Sequence, residues 1–61
     1  MNGSKLEELM NAKSITKQQL ADAVGVSRTM IIYIIKGFKD PSIKTLKRIA
    51  DYFEVSTDEL I

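Results

Sequence analysis

The chain has 61 residues, with nine Lys and Arg, eight Asp and Glu, no cysteine and no histidine. This composition excludes a disulfide scaffold and any metal site with thiolate or imidazole ligands. The length allows one domain, residues 1–61, stabilised by helices around an aliphatic core. The charge is uneven, because residues 13–48 carry a net +6 and residues 49–61 a net −4. A basic segment indicates a surface for a polyanion, although an ordinary solvated surface fits the charge equally well.

Nothing in the sequence points to an enzyme, a membrane protein or a secreted protein. The chain has no Cys or His to act as a nucleophile or base and no glycine-rich phosphate loop, so we assign no catalytic residue, metal or cofactor. The longest apolar run, Met30–Ile35, is too short to span a bilayer, and no apolar signal sequence follows Met1. We therefore expect a cytoplasmic protein without catalytic activity or membrane contact.

The first two predicted helices begin at capping boxes, in which two residues three positions apart bond each other's backbone N–H groups. Ser4 with Glu7 predicts the start of helix 1, and Thr16 with Gln19 predicts the start of helix 2. Gly25 predicts the end of helix 2, because glycine readily adopts the left-handed conformation found there. The residues expected in the core from this region are Leu6, Leu9, Met10, Ile15, Leu20, Ala21 and Val24.

Three further helices complete the prediction. Ser27 is the expected cap of helix 3, which ends before Gly37, and Ser42 is the expected cap of helix 4. Ser56 with Glu59 forms a third capping box and predicts a short fifth helix. The residues assigned to the buried stripe of helix 4 and to the last helix are Ile43, Leu46, Ile49, Ala50, Phe53 and Leu60. The chain is therefore predicted to be all-α, with five short helices.

Helices 2 and 3 are separated by only three residues, Gly25-Val26-Ser27. Two short helices joined by a short glycine-containing turn form a helix-turn-helix, in which the helices cross at about 90–120°. Ala21 falls where the two helices approach closely, and Gly25 falls where the chain must turn sharply with a positive φ. The sequence therefore predicts a helix-turn-helix unit over residues 16–37.

With these residues the chain resembles the lambda-repressor-like family of phage and bacterial regulators, also called the Xre or Cro/C1 type. The resemblance extends over nearly the whole chain and implies a compact five-helix DNA-binding domain whose third helix lies in the major groove. It also implies a transcriptional regulator, a repressor above all, that binds a palindromic operator as a dimer. The matching positions are Lys17–Ala21, Val24–Ser27, Gly37, Pro41-Ser42, Leu46, Ala50, Val55-Ser56, Asp58 and Leu60.

The outer side of helix 3 is the predicted base-reading surface. Arginine can bond guanine through O6 and N7, and a threonine methyl or an aliphatic group can meet the methyl group of thymine. An ordinary exposed helix face is the alternative, and an outward Ile32 argues mildly against it. The residues assigned to base contacts are Arg28, Thr29, Ile32 and Tyr33.

Basic and polar residues around helix 3 are the predicted phosphate contacts. The free N–H groups at the start of helix 2 suit an anion, and the family often carries a glutamine there for this purpose. Each lysine alone fits a solvated charge equally well, and only the grouping around helix 3 favours phosphate contact. The residues assigned to phosphate contacts are Lys17, Gln18, Ser27, Lys36, Lys39 and Lys44.

The chain departs from the family at two positions. Many members carry Glu at the position of Ile35 and a partner Arg at the position of Met10, whereas both residues are apolar here. We interpret the pair as a buried apolar contact in place of an ion pair, a change that is often neutral or stabilising. The alternative is that Met30, Ile32 and Ile35 form an apolar patch for a protein partner such as an antirepressor.

The expected partners are double-stranded DNA and a second copy of the chain. One helix in one groove gives limited specificity, and a dimer doubles it over two half-sites. We assign weak self-association to the C-terminal region around Thr57, Glu59 and Ile61. Two alternatives to a DNA-binding repressor are a helix-turn-helix module that binds protein instead of DNA, and an antitoxin with a toxin partner.

Overall fold

The computed structural model describes residues 1–61 and contains four α-helices and one 3-10 turn. The elements are α1 (Gly3–Lys13), α2 (Lys17–Val24), α3 (Arg28–Lys36), α4 (Ile43–Phe53) and the 3-10 turn Thr57–Glu59. The predicted all-α class is confirmed, but the expected fifth helix is only this single turn. Its backbone bonds join residues three apart, from Glu59 to Ser56 at 3.2 Å and from Leu60 to Thr57 at 3.0 Å, which is the pattern of a 3-10 helix.

The predicted N-caps of α2, α3 and α4 are confirmed. The Thr16 hydroxyl oxygen accepts the Gln19 backbone N–H at 3.1 Å, and the Gln19 side chain accepts the Thr16 N–H at 2.8 Å. The hydroxyl oxygens of Ser27 and Ser42 each accept the backbone N–H three residues later, at 3.1 and 3.2 Å. These caps fix the starts of the two helices of the helix-turn-helix unit and the start of α4.

The predicted cap of α1 at Ser4 is wrong. Asn2 caps this helix instead, and its side-chain oxygen accepts the backbone N–H three residues later at 3.0 Å. Asparagine caps a helix as well as serine does, and the earlier start brings Gly3 into the first position of the helix. A Cβ atom on Gly3 would overlap the carbonyl oxygen of Ile35 and lie 2.8 Å from its carbonyl carbon. The start of α1 therefore lies directly against the backbone near the end of α3.

The backbone of all four α-helices ends in the same motif. The residue after each helix is left-handed, with φ of 55° at Ser14, 78° at Gly25, 81° at Gly37 and 56° at Glu54. The next residue donates its N–H to the carbonyl five positions earlier, at 2.9–3.1 Å, which is a Schellman motif. The two glycines were expected to end their helices, whereas no glycine marks the ends of α1 and α4.

The core consists of eleven apolar residues, and no buried side chain is polar. These residues are Leu6, Met10, Leu20, Ala21, Val24, Ile31, Ile34, Ile49, Ala50, Phe53 and Leu60. The assignment of Ile43 to the buried stripe of α4 is wrong, because its side chain is 74% exposed. Ile43 is the first residue of α4 and lies beyond the core, which the helix reaches one turn later at the partly buried Leu46.

The helices pack in an order that leaves one side of α3 uncovered. Helix α2 packs most extensively on α3, α1 also packs on α3, and α4 packs on α2 and carries the 3-10 turn. The molecule measures 23 × 23 × 19 Å along its principal axes. None of its helices has the length and apolar composition that a membrane span requires.

Candidate nucleic-acid interface

The turn between α2 and α3 is fixed by small residues and by an arginine from α4. Ala21 has no exposed surface, so the two helices approach closely at this point. The Arg48 guanidinium donates to the Val24 carbonyl oxygen at 3.4 Å, and a Cβ atom on Gly25 would lie 3.3 Å from the same nitrogen. Arg48 thus holds the end of α2, a role that the sequence did not reveal because no local pattern links residues this far apart.

The inner and outer sides of α3 are set by Ile31 and Ile34, which are almost completely buried. Successive helix residues are turned by about 100°. The outermost positions are therefore the one two residues before Ile31 and the one two residues after Ile34. The residues on the outward face are Thr29, Ile32, Tyr33 and Lys36, with Arg28 at its edge. All of the residues assigned to base contacts are therefore on the side of α3 that no other helix covers.

The apolar residues at the margins of α3 divide between the core and this outer face. Met30 and Ile35 are partly buried and pack against the core, as expected for the core interpretation of these residues. Ile32 is partly buried as well, but it does not belong to the residues packed against the core. Because Met30 and Ile35 are turned about 140° apart around α3, the three residues do not form one continuous apolar patch.

No Lys or Arg side chain forms an intramolecular ion pair. The one salt bridge joins the amino terminus of Met1 to Asp40 at 3.1 Å and involves no Lys or Arg. The Lys13 ammonium lies 5.9 Å from the centre of the Tyr52 ring, on the α1–α4 side of the molecule. Lys17 is partly buried, whereas the other lysines assigned to phosphate contacts are exposed, namely Lys36, Lys39 and Lys44.

The first turns of the helices carry cations where stability alone favours anions. No α-helix has an acidic residue in its first turn. Lys17 and Arg28 occupy the first positions of α2 and α3, and Lys44 the second position of α4. The positive end of the helix dipole disfavours these cations. An anion bound at these helix starts would contact free N–H groups. It would neutralise both the positive end of the helix dipole and the charge of the Lys or Arg side chain.

Two of the polar residues assigned to phosphate contacts are already hydrogen-bonded within the chain. The Gln18 side-chain N–H donates to the Asp22 carboxylate at 2.9 Å, which also brings a negative charge to the start of α2. The Ser27 hydroxyl oxygen accepts the backbone N–H of Met30, which leaves only its O–H to donate elsewhere. Both residues are exposed but have less hydrogen-bonding capacity for a phosphate than the lysines.

The residues assigned to self-association lie at the end of the chain and differ in exposure. Ile61 is 74% exposed, whereas Thr57 is partly buried. Glu59 is exposed, and its carboxylate accepts the Ser56 backbone N–H at 3.1 Å. Of the three, Ile61 presents the most apolar surface to a partner.

The sequence of residues 6–60 matches the model of the helix-turn-helix family. The chain belongs to this family. It is 39% identical over 57 residues to an HTH-type transcriptional regulator of Methanocaldococcus jannaschii, covering 93% of this chain and 86% of the archaeal protein. It is also 40% identical over 57 residues to the HTH-type transcriptional activator BcrR of Enterococcus faecalis. The chain spans 28% of the length of BcrR and 53% of that of the Bacillus subtilis transcriptional regulator AnsR.

The fold is also similar to that of a protein of known crystal structure. The crystal structure of the restriction-modification controller protein C.AhdI from Aeromonas hydrophila superposes with a TM-score of 0.87 and 25% sequence identity. The similarity covers 97% of this chain and 89% of C.AhdI. The lambda-repressor-like resemblance and the all-α fold are therefore confirmed.

Proposed function

We propose that residues 1–61 form the sequence-specific DNA-binding domain of a transcriptional regulator, with α3 inserted in the major groove of double-stranded DNA. The outer face of α3 carries this proposal, since it is uncovered, contains no acidic residue and makes no side-chain hydrogen bond or ion pair within the chain. A helix about 10–12 Å wide fits a groove about 12 Å wide. The names of the relatives, which are transcriptional regulators, support the same function.

The side chains of the outer face suit different features of base pairs. Arg28 has the geometry to donate two hydrogen bonds to guanine O6 and N7, and Thr29 supplies a hydroxyl and a methyl group. Ile32 provides apolar surface for a thymine methyl, and Tyr33 a hydroxyl on an apolar ring. We assign sequence recognition to these four residues.

We assign the phosphate contacts to the basic residues near this face. Lys17 and Lys44 lie in helix first turns, where backbone N–H groups add to the attraction for an anion. Lys36 and Lys39 lie at the other end of α3, and Gln18 and Ser27 are secondary candidates. These contacts increase affinity for every sequence and fix the register of the helix in the groove.

We further propose that two copies bind a palindromic site through the region around Thr57, Glu59 and Ile61, and that binding represses transcription by occluding the groove. Two touching copies of a molecule 23 Å wide have centres about one width apart. A palindromic site for such a dimer has half-sites about 34–36 Å apart, one for each α3 helix. The exposed Ile61 supplies the apolar contact.

The experiment that tests base recognition begins with selection of bound duplexes from a random pool. Affinity is then measured at several salt concentrations for the selected duplex and a scrambled one. Arg28→Ala is expected to weaken binding to the selected duplex by about 1–3 kcal/mol and to relax the preference at one base pair. Lys47→Ala removes one exposed cation of α4 outside the assigned contacts and is the matched control.

The outcomes separate α3 from a general electrostatic surface. Equal weakening of the selected and scrambled duplexes by Arg28→Ala would show that α3 does not read bases. Absence of binding to every duplex at low salt would reject DNA binding and favour a protein partner.

Ile61→Ser should remove cooperative binding to a palindrome, whereas Ile43→Ser, at an equally exposed residue, should preserve it.

A further inference from the structure

The end of α3 differs from the ends of the other three helices. In a Schellman motif the residue after the left-handed position often contacts an apolar residue five positions earlier. In α1, α2 and α4 both residues of this pair are buried or packed against the core, and the pairs are Met10/Ile15, Ala21/Val26 and Ala50/Val55. In α3 the pair is Tyr33 and Phe38, which are 40% and 72% exposed. Phe38 therefore has no place in the core.

Phe38 instead contacts the ring of Tyr33 on the outside of the molecule. The two rings meet edge to face, with their centres 6.0 Å apart and their planes at 64°, an arrangement that aromatic quadrupoles favour. The backbone fixes Phe38 in this position, because its N–H donates to the Tyr33 carbonyl oxygen at 2.9 Å. The Lys39 N–H reaches the same oxygen at 3.4 Å, so the whole segment after α3 is tied to Tyr33.

We infer that Phe38 is a positioning residue for the base contact of Tyr33, an inference that rests on the proposed function of α3. The Tyr33 side chain makes no hydrogen bond within the chain and lies on the uncovered face, so its ring is held only by packing. The Phe38 ring limits the rotation of the Tyr33 side chain before DNA arrives. Less side-chain entropy is then lost on binding, and base selectivity at the pair facing Tyr33 depends on Phe38.

The test compares Phe38→Ala, Tyr33→Ala and the double variant on the selected duplex and on duplexes changed at single base pairs. Phe38→Ala should lower discrimination by about two- to tenfold at the base pair that Tyr33→Ala identifies. It should preserve discrimination at the pair read by Arg28 and leave the salt dependence unchanged. Phe38→Tyr, which keeps an aromatic ring, should restore discrimination. In the Tyr33→Ala background, Phe38→Ala should cause no further loss of discrimination.

A spectroscopic measurement on free protein separates positioning from general stability. The NMR signals of the Tyr33 ring should lose their ring-current shift in Phe38→Ala, while those of Tyr52, which packs on Phe53 at 5.2 Å, should be unchanged. Thermal unfolding by circular dichroism shows whether each variant is folded under the binding conditions.

Three results would overturn the inference. One is a loss of stability in Phe38→Ala with unchanged base discrimination, which would mean that Phe38 only closes the end of the helix. Another is equal weakening on all duplexes, and the third is additivity with Tyr33→Ala. If the wild-type protein binds all duplexes equally, the proposed function fails. If Tyr33→Ala loses base discrimination but the Phe38 variants discriminate as well as wild type, only this inference fails.

Discussion

Replacing Lys17 with glutamate should stabilise the fold and weaken DNA binding at the same time. Lys17 is the first residue of α2, where the helix dipole is positive, and it has no carboxylate partner that the substitution would leave unpaired. A favourable charge in this position contributes about 0.3–1 kcal/mol, and the substitution both removes an unfavourable charge and adds a favourable one. The expected gain is roughly 1 kcal/mol, which raises Tm of a domain of this size by about 4–8 °C.

The same substitution should remove a phosphate contact. A hydrogen bond to a charged group contributes about 1.5–3 kcal/mol, so affinity for both the selected and the scrambled duplex should fall by at least roughly tenfold. The slope of log K against log salt should decrease by about one unit, since one fewer counterion is released. Thermal unfolding by circular dichroism and DNA titration at several salt concentrations measure the two effects on the same protein.

Lys5→Glu is the matched control for this experiment. Lys5 also lies in the first turn of its helix, and the substitution changes the net charge by the same amount. It should therefore raise Tm similarly, while binding changes only through the screened long-range charge. A lower Tm for Lys17→Glu, or equal losses of affinity in the two variants, would refute the assignment of the α2 start as an anion site.

Three further predictions concern the packing that holds α3 in place. Gly3→Ala should destabilise the fold by about 1–3 kcal/mol, because the added methyl group overlaps the Ile35 backbone. The same change at an ordinary helix position increases stability, and chemical denaturation measures the free energy of unfolding. Met10→Arg should destabilise by about 3–5 kcal/mol and Ile35→Glu should recover part of the loss, so simple additivity in the double variant would reject the predicted contact between the two side chains. Leu60→Ala should cost about 2–5 kcal/mol in thermal unfolding, because Leu60, the residue after the 3-10 turn, is completely buried in the core.

The parts of the fold that could be predicted from sequence are those encoded by neighbouring residues. The Thr16–Gln19 box, the Ser27 cap and the stops at Gly25 and Gly37 depend on bonds between residues three to five positions apart. Such patterns are visible in sequence because the same residue types recur at the same spacing. The helix-turn-helix unit followed from them, and the outward face of α3 followed from the turn of about 100° per helix residue.

The errors arose where distant contacts or equivalent local choices decided the structure. Both Asn2 and Ser4 are good caps, and the close passage of Gly3 across the Ile35 backbone accompanies the earlier start of α1. The left-handed residue at Glu54 lacks the glycine signal that predicts such a position. Arg48 reaches Val24 across the tertiary structure, and no periodicity in a single chain encodes that contact.

The N-terminal residues close the fold at the side where the helices themselves make little contact. Helices α3 and α4 hardly pack on each other, because both pack on α2 and only α3 also packs on α1. The Asn2 N–H bonds to the Leu60 carbonyl oxygen, and Gly3 lies against the Ile35 carbonyl, so two successive residues link the end of the chain to the end of α3. Both contacts use backbone atoms. They therefore constrain the C-terminal half of α3, which carries Tyr33, without occupying any side chain on its outward face, and that face stays available for a ligand.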